Sequence, residues 1–168
     1  MGNREIAQTE RLTIAEATPE DAPFFVTLMN SPTWIKYIGD RSINTLEDAV
    51  NYINNSLIQS YETNGFGLYI VYLKKENYPV GICGFVQRDY LEHPDIGFAI
   101  LPEYEKKGFM IEACNAIMLY GRQDLKLTSV LGITTEENQA SIRLLEKIGL
   151  KQTGTISPRD VEFLLFSS

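Results

Sequence analysis

One histidine and two cysteines in 168 residues remove whole classes of chemistry. A single imidazole, His93, rules out a His-rich metal site or a two-histidine helix motif, so no metal is expected. Cys83 and Cys114 are too far apart for a CxxC ligand pair. Each falls inside an apolar segment, so both are expected as buried, reduced thiols of a cytoplasmic protein. No GxSxG elbow, GxxxxGK[ST] loop or GxGxxG turn occurs. No apolar run approaches the roughly eighteen residues of a membrane span. The opening MGNREIAQTERL has no apolar leader core. It begins Met-Gly, but Ile6 stands where a myristoylation signal needs Ser or Thr. Positive charge is also scarce. Fifteen Lys and Arg face 22 Asp and Glu, a net charge of −7, which disfavours nucleic acid and suits a cationic partner such as an amine.

No repeat, low-complexity tract or Pro/Gly/Ser-rich linker divides the chain, and its length suits one domain spanning residues 1–168. ERLTIAEA alternates apolar and polar residues and predicts a first strand. Thr18-Pro19-Glu20-Asp21 predicts a capped helix start, followed by an apolar face of Phe24, Phe25, Leu28 and Met29. A loop is expected around Pro32, Trp34 and Gly39. The next helix runs from about Leu46 to Tyr61, capped by Thr45, with Ala49, Val50, Ile53 and Leu57 at helical spacing. FGLYIVYL and PVGICGFVQ read as a long hairpin, DIGFAIL as a strand before a helix from Gly108 to about Gly121, and SVLGITT as a strand before a helix over 138–148. KQTGTI and DVEFLLF close the chain as a hairpin. The predicted class is mixed α/β with a largely antiparallel sheet, splayed between the strands at 95–101 and 129–135, with helices on both faces.

The segment IGFAILPEYEKKGFMIEA carries the chemistry. A strand reaches Pro102, a charged turn and then Gly108, which opens a helix. A strand–turn–helix of this kind leaves backbone N–H groups free at a helix N-terminus, where they and the helix dipole favour an anion. Lys106, Lys107 and Gly108, with the N–H groups of Phe109, Met110 and Ile111, can hold a diphosphate. The plain alternative is a solvated Lys-Lys turn with Gly108 chosen for its backbone freedom. Farther on, NQASIRLLEKIGL places Asn138 as an N-cap, Ser141 one turn in and Gly149 beyond the C-terminus, roles that are also purely structural. His93 beside Pro94 reads as a surface residue.

Taken together, strand–Lys-Lys-Gly–helix–strand–Asn-x-x-Ser–helix–Ile-Gly-Leu–strand–strand resembles the GNAT superfamily of acetyl-CoA-dependent N-acetyltransferases. The opening TERLTIAEATPEDAPFFVTLMNSP and the motif NQASIRLLEKIGLKQTG are similar to its Rim-type branch, the ribosomal-protein N-terminal acetyltransferases and their relatives. The resemblance implies acetyl-CoA as co-substrate. Its pantetheine arm would lie on the backbone of Phe98, Ala99, Ile100 and Leu101, and its diphosphate on Lys106–Ile111. Asn138 would contact the cofactor near its pantetheine or thiol end, and Ser141 would lie near the thioester sulfur as the acid for the departing thiolate.

Three positions depart from the superfamily pattern. Glu105 stands where an amide or cation is usual and is expected to point to solvent. Met110 replaces Gly or Ala and is expected to pack inward. Leu145 occupies the place of a tyrosine acid. The reaction implied is direct attack of an amine, from a protein N-terminus or a small molecule, on the thioester. Asp95 is the candidate base acting through water, set against the alternative of a solvent-facing strand-end carboxylate. Glu103 and Glu92 are weaker candidates. Trp34, Tyr37 and Tyr90 are candidate acceptor-pocket residues, with simple packing as their alternative. A covalent route through Cys83 lacks any neighbouring His or cation to activate the thiol. The contrasting reading is an acyl-CoA-binding module of weak or no turnover. A monomer and a homodimer are equally compatible with the sequence.

Overall fold

A computed structural model describes residues 3–168; Met1 and Gly2, read above for lipidation, lie outside them. The chain forms eight strands: β1 (Glu5–Gln8), β2 (Leu12–Ala15), β3 (Leu68–Leu73), β4 (Tyr78–Val86), β5 (Asp95–Ile100), β6 (Leu131–Thr134), β7 (Lys151–Ile156) and β8 (Phe163–Ser167). They make one sheet in the order β1-β2-β3-β4-β5-β6-β8-β7. Every pairing is antiparallel except β5 with β6. The helices are α1 (Ala22–Met29), α2 (Pro32–Tyr37), α3 (Leu46–Tyr52), α4 (Gln59–Asn64), α5 (Phe109–Gln123) and α6 (Gln139–Lys147).

Alternation along the central strands builds two cores. Tyr69, Val71, Cys83 and Phe85 enter one with Ala113, Cys114 and Ile117 of α5. Ile70 and Ile82 enter the other with Phe25 and Leu28 of α1, Ala49 of α3 and Ile53 just beyond its end. A period of two sends neighbouring strand residues to opposite faces, so helices cover both. Each large apolar side chain fully buried this way contributes about 1.5–3 kcal/mol. Met110 packs inward as expected, and both cysteines are free and fully buried with sulfurs 3.6 Å apart.

The cap signals hold. Asp21 accepts the Thr18 N–H at 2.8 Å, and at the next start Thr45 Oγ1 accepts the Asp48 N–H while the Asp48 carboxylate accepts the Thr45 N–H.

Three elements differ from the sequence reading. ERLTIAEA supplies the second strand rather than the first; EIAQ at 5–8 forms an edge strand, held by pairing with β2 and by Ile6 and Ala7 packing on the core under α5. The expected loop around Trp34 is the helix α2, started by Ser31 with Pro32 at its first turn, the same cap–proline signal as at Thr18-Pro19. The helix from Leu46 continues to Asn64 and is π-helical over Ile53–Ile58, a distortion that the 3.6-residue periodicity does not announce.

Candidate active site

The sheet opens at its single parallel pairing. β5 pairs with β4 along its length, from Asp95 opposite Val86 to Ile100 opposite Gly81, but with β6 only at Asp95 opposite Leu131. The Leu101 N–H donates to Val80 O at 2.8 Å, and on the other edge Pro94 O accepts the Leu131 N–H at 2.9 Å. Peptide groups alternate between edges along a strand, so those of Phe98 and Ile100 face the side from which β6 has diverged. They have no strand partner there.

The open edge leads through a short 3₁₀ turn, Pro102–Tyr104, to α5. Lys106 and Gly108 both adopt left-handed backbone, φ 63° and 81°. For Lys106 this conformation costs about 1 kcal/mol, which surrounding contacts must offset. Gly108 is the N-cap of α5 and has no side chain to cap it, so the first-turn N–H groups are left without a side-chain acceptor. The helix spans fifteen residues, and its positive end faces the cleft, which Gly108 to Ile111 line. Across the gap, Asn138 caps α6 by accepting the Ser141 N–H at 3.2 Å, which leaves its carboxamide NH₂ uncommitted.

These elements border a cleft of about 1190 Å³. Its other half is lined by Trp34 and Tyr37 of α2, Tyr52, Asn55 and Gln59 of the α3–α4 helix, and Arg88, Tyr90 and Asp95 around β5. Asp95 is 1% exposed, and Arg88 donates to it through Nε at 2.8 Å and Nη2 at 3.4 Å, with Nη1 3.4 Å from the Tyr90 hydroxyl. Burial raises the Asp95 carboxyl above its usual range, against the pull of the guanidinium. Burial likewise raises the Tyr52 phenol above its ordinary value.

The profile of the GNAT acetyltransferase domain matches residues 11–151. The chain belongs to the GNAT acetyltransferase family. Membership makes it an acetyl-CoA-dependent N-acetyltransferase. It is 26% identical over 153 residues to the uncharacterized N-acetyltransferase YoaA of Bacillus subtilis, covering 90% of this chain and 85% of that one. A GNAT acetyltransferase structure from Bacillus anthracis superposes with a TM-score of 0.79 at 27% identity, over 96% of both chains. The ribosomal L7/L12 α-N-protein acetyltransferase RimL, solved with coenzyme A, shares the fold at a TM-score of 0.84 and 14% identity, covering 98% of this chain and 97% of that one.

The acetyltransferase brings most of the sequence-predicted residues to this one cleft: Asp95, Phe98, Ala99, Ile100, Lys106, Gly108, Phe109, Met110, Ile111, Asn138, Ser141, Trp34, Tyr37 and Tyr90. Two lie outside its lining. Leu101 is buried with its N–H committed to Val80, and Ala99 shares that parity, so the backbone of only Phe98 and Ile100 is directed to the cleft. Lys107 is exposed, and its carbonyl accepts from Arg11 at 3.1 Å.

Other expectations need correction. Glu105 does not extend freely into solvent: it is half-buried, lines the cleft and accepts from the Thr33 hydroxyl at 3.3 Å, because α2 folds over the turn. Asp95 is no solvent-facing strand end. Trp34 is chiefly a core residue, 4% exposed, with its indole N–H unpartnered. Leu145 is buried against the sheet, where a Cβ at Gly132 would come within 2.7 Å of it, so this position offers no acid to the cleft.

Sequence reasoning missed Arg88, which carries no local motif. It also missed Arg143 and Lys147, which line the cleft and are spaced one turn apart on α6, a signal that periodicity could have supplied. Cys83 is absent from the lining, and Cys114 beside it is pushed well up by burial, so neither thiol is available as a nucleophile. Among the described residues no cluster of His, Cys, Asp and Glu could hold a metal, and no helix is long and apolar enough to cross a membrane.

Proposed function

We propose that the protein transfers the acetyl group of acetyl-CoA to a primary amine, a protein N-terminal α-amine or a small amine, by direct attack within a ternary complex. The observation that carries this reading is the unpaired edge of β5 running into the uncapped N-terminus of α5. Phe98 and Ile100 offer peptide groups to the amide-bearing pantetheine arm. Lys106 and the N–H groups from Gly108 to Ile111 take the diphosphate, and Arg143 and Lys147 of α6 add positive charge to the cleft from across the gap. The Asn138 carboxamide reaches the thiol end of the arm.

The acceptor nitrogen forms the new C–N bond as the C–S bond breaks. Asp95 takes the ammonium proton through water, with Arg88 orienting its carboxylate; as the amide forms, the Ser141 hydroxyl gives its proton to the departing thiolate and takes up the second proton released by the nitrogen. Trp34, Tyr37 and Tyr90 flank the acceptor. The Rim-type reading rests on the opening TERLTIAEATPEDA and on the fold shared with RimL, whose acceptor is a protein N-terminus.

The test pairs calorimetric titration of acetyl-CoA with thiol release against a panel of amines: a peptide N-terminus, a polyamine and an aminoglycoside. Saturable binding with thiol release on at least one amine is expected. Binding without transfer to any of them would leave only an acyl-CoA-binding module.

A further inference from the structure

Arg11 touches the diphosphate turn from behind, without lining the cleft. It lies in the β1–β2 connection, far away in sequence. Its Nη1 donates to the Lys107 carbonyl at 3.1 Å, its Nε donates to Glu112 Oε1 at 2.8 Å, and its guanidinium stacks over the Phe109 ring at 4.4 Å from the centroid. A Cβ on Gly108 would lie 3.3 Å from Nη2. The Arg11 N–H and the Thr9 hydroxyl both donate to the other Glu112 oxygen. Burial acts to raise the Glu112 carboxyl, but these hydrogen bonds outweigh it and hold the group below its usual range.

We infer that Arg11 is a positioning residue for cofactor binding, an inference that rests on the diphosphate site proposed above. Two physical reasons support it. In a trans peptide the C=O and N–H point in opposite directions. Drawing the Lys107 carbonyl back toward Arg11 therefore aims the Gly108 N–H forward, and Gly108 lines the cleft. In addition, Glu112 places a carboxylate in the first turn of α5, beside the proposed anion site. Arg11 neutralises it, so the helix end stays electropositive for a phosphate. Only a forked guanidinium serves the carboxylate, the carbonyl and the ring at once.

The experiment compares wild type, Arg11→Met, Arg11→Lys and Arg11→Met/Glu112→Gln. It measures CoA affinity by calorimetry and turnover with two donors, acetyl-CoA and S-acetylpantetheine, which lacks the diphosphate. Arg11→Met should weaken CoA binding about tenfold, the scale of one or two charge-assisted hydrogen bonds. It should leave kcat at saturating acetyl-CoA, and kcat/KM for S-acetylpantetheine, at wild-type values. Arg11→Lys, which keeps the charge but lacks the fork, should also bind CoA more weakly. Removing the Glu112 charge in the double variant should recover part of the loss.

Equal losses on the two donors, or unchanged CoA affinity in both single variants, would overturn the role of Arg11. A wild-type protein that binds acetyl-CoA no better than S-acetylpantetheine would instead remove the diphosphate site, and this inference with it.

Discussion

Where the cleft is bordered by β5, α5 and α6, the groups that face it include peptide N–H and C=O left over by a diverging strand and an uncapped helix end. Where it is bordered by α2 and the α3–α4 helix, the groups are side chains from segments distant in sequence: Trp34, Tyr37, Tyr52, Gln59, Arg88 and Tyr90. In the proposed function, the backbone groups recognise what every acyl-CoA shares and tolerate side-chain change. Side chains distinguish one acceptor from another and can be exchanged without disturbing the sheet. The two halves meet at Asp95, the last point at which β5 and β6 are joined.

That division can be broken most sharply at its junction. Asp95→Asn removes the proposed base and should lower kcat by about 10²–10⁴ while leaving CoA affinity, measured by calorimetry, unchanged. In the wild type, kcat/KM should fall as pH drops through the raised Asp95 pKa, because the base works only when ionised and burial moves that limb above the ordinary carboxylate range. The limb should be missing in Asp95→Asn.

Ser141→Ala should cost about tenfold to a hundredfold in kcat in a steady-state assay, with acceptor KM unmoved, since the hydroxyl is proposed to act on the leaving thiolate. On the backbone-built side, Gly108→Ala puts a Cβ at φ 81° and 3.3 Å from the Arg11 guanidinium; relieving about 1–2 kcal/mol of left-handed strain shifts the turn, and CoA binding should weaken by about tenfold. The smallest effect is expected in the other half. Thr45→Ala removes the cap of α3 and should lower unfolding free energy by about 1 kcal/mol in denaturant titrations without changing CoA affinity.

The same division explains what was legible beforehand. Asp95, Phe98, Lys106, Gly108, Asn138 and Ser141 could be placed because strand, turn, cap and helix follow one another locally in IGFAILPEYEKKGFMIEA and NQASIRLLEKIGL. Which strand residues turn their peptides to the cleft was not legible. That parity depends on the register with β4, and the register puts Ala99 and Leu101 on the wrong edge. Glu105 differs from expectation for a related reason: its partner Thr33 belongs to α2, where the sequence pattern predicts a loop. Arg88 and Arg11 have no motif of their own, and only the fold gives them partners.

Sequence alone determined the helix caps at Thr18, Thr45 and Asn138 and the left-handed glycine before α5, because each rests on neighbours within a turn or two along the chain, and the order and spacing of such local elements pointed to the mixed class and the family. Tertiary structure decided which edge of β5 is open, that Asp95 is buried against a guanidinium, and that a half-exposed arginine from the first hairpin holds the turn from behind. Those properties depend on register and on contacts between distant segments, and no local pattern of residues encodes them.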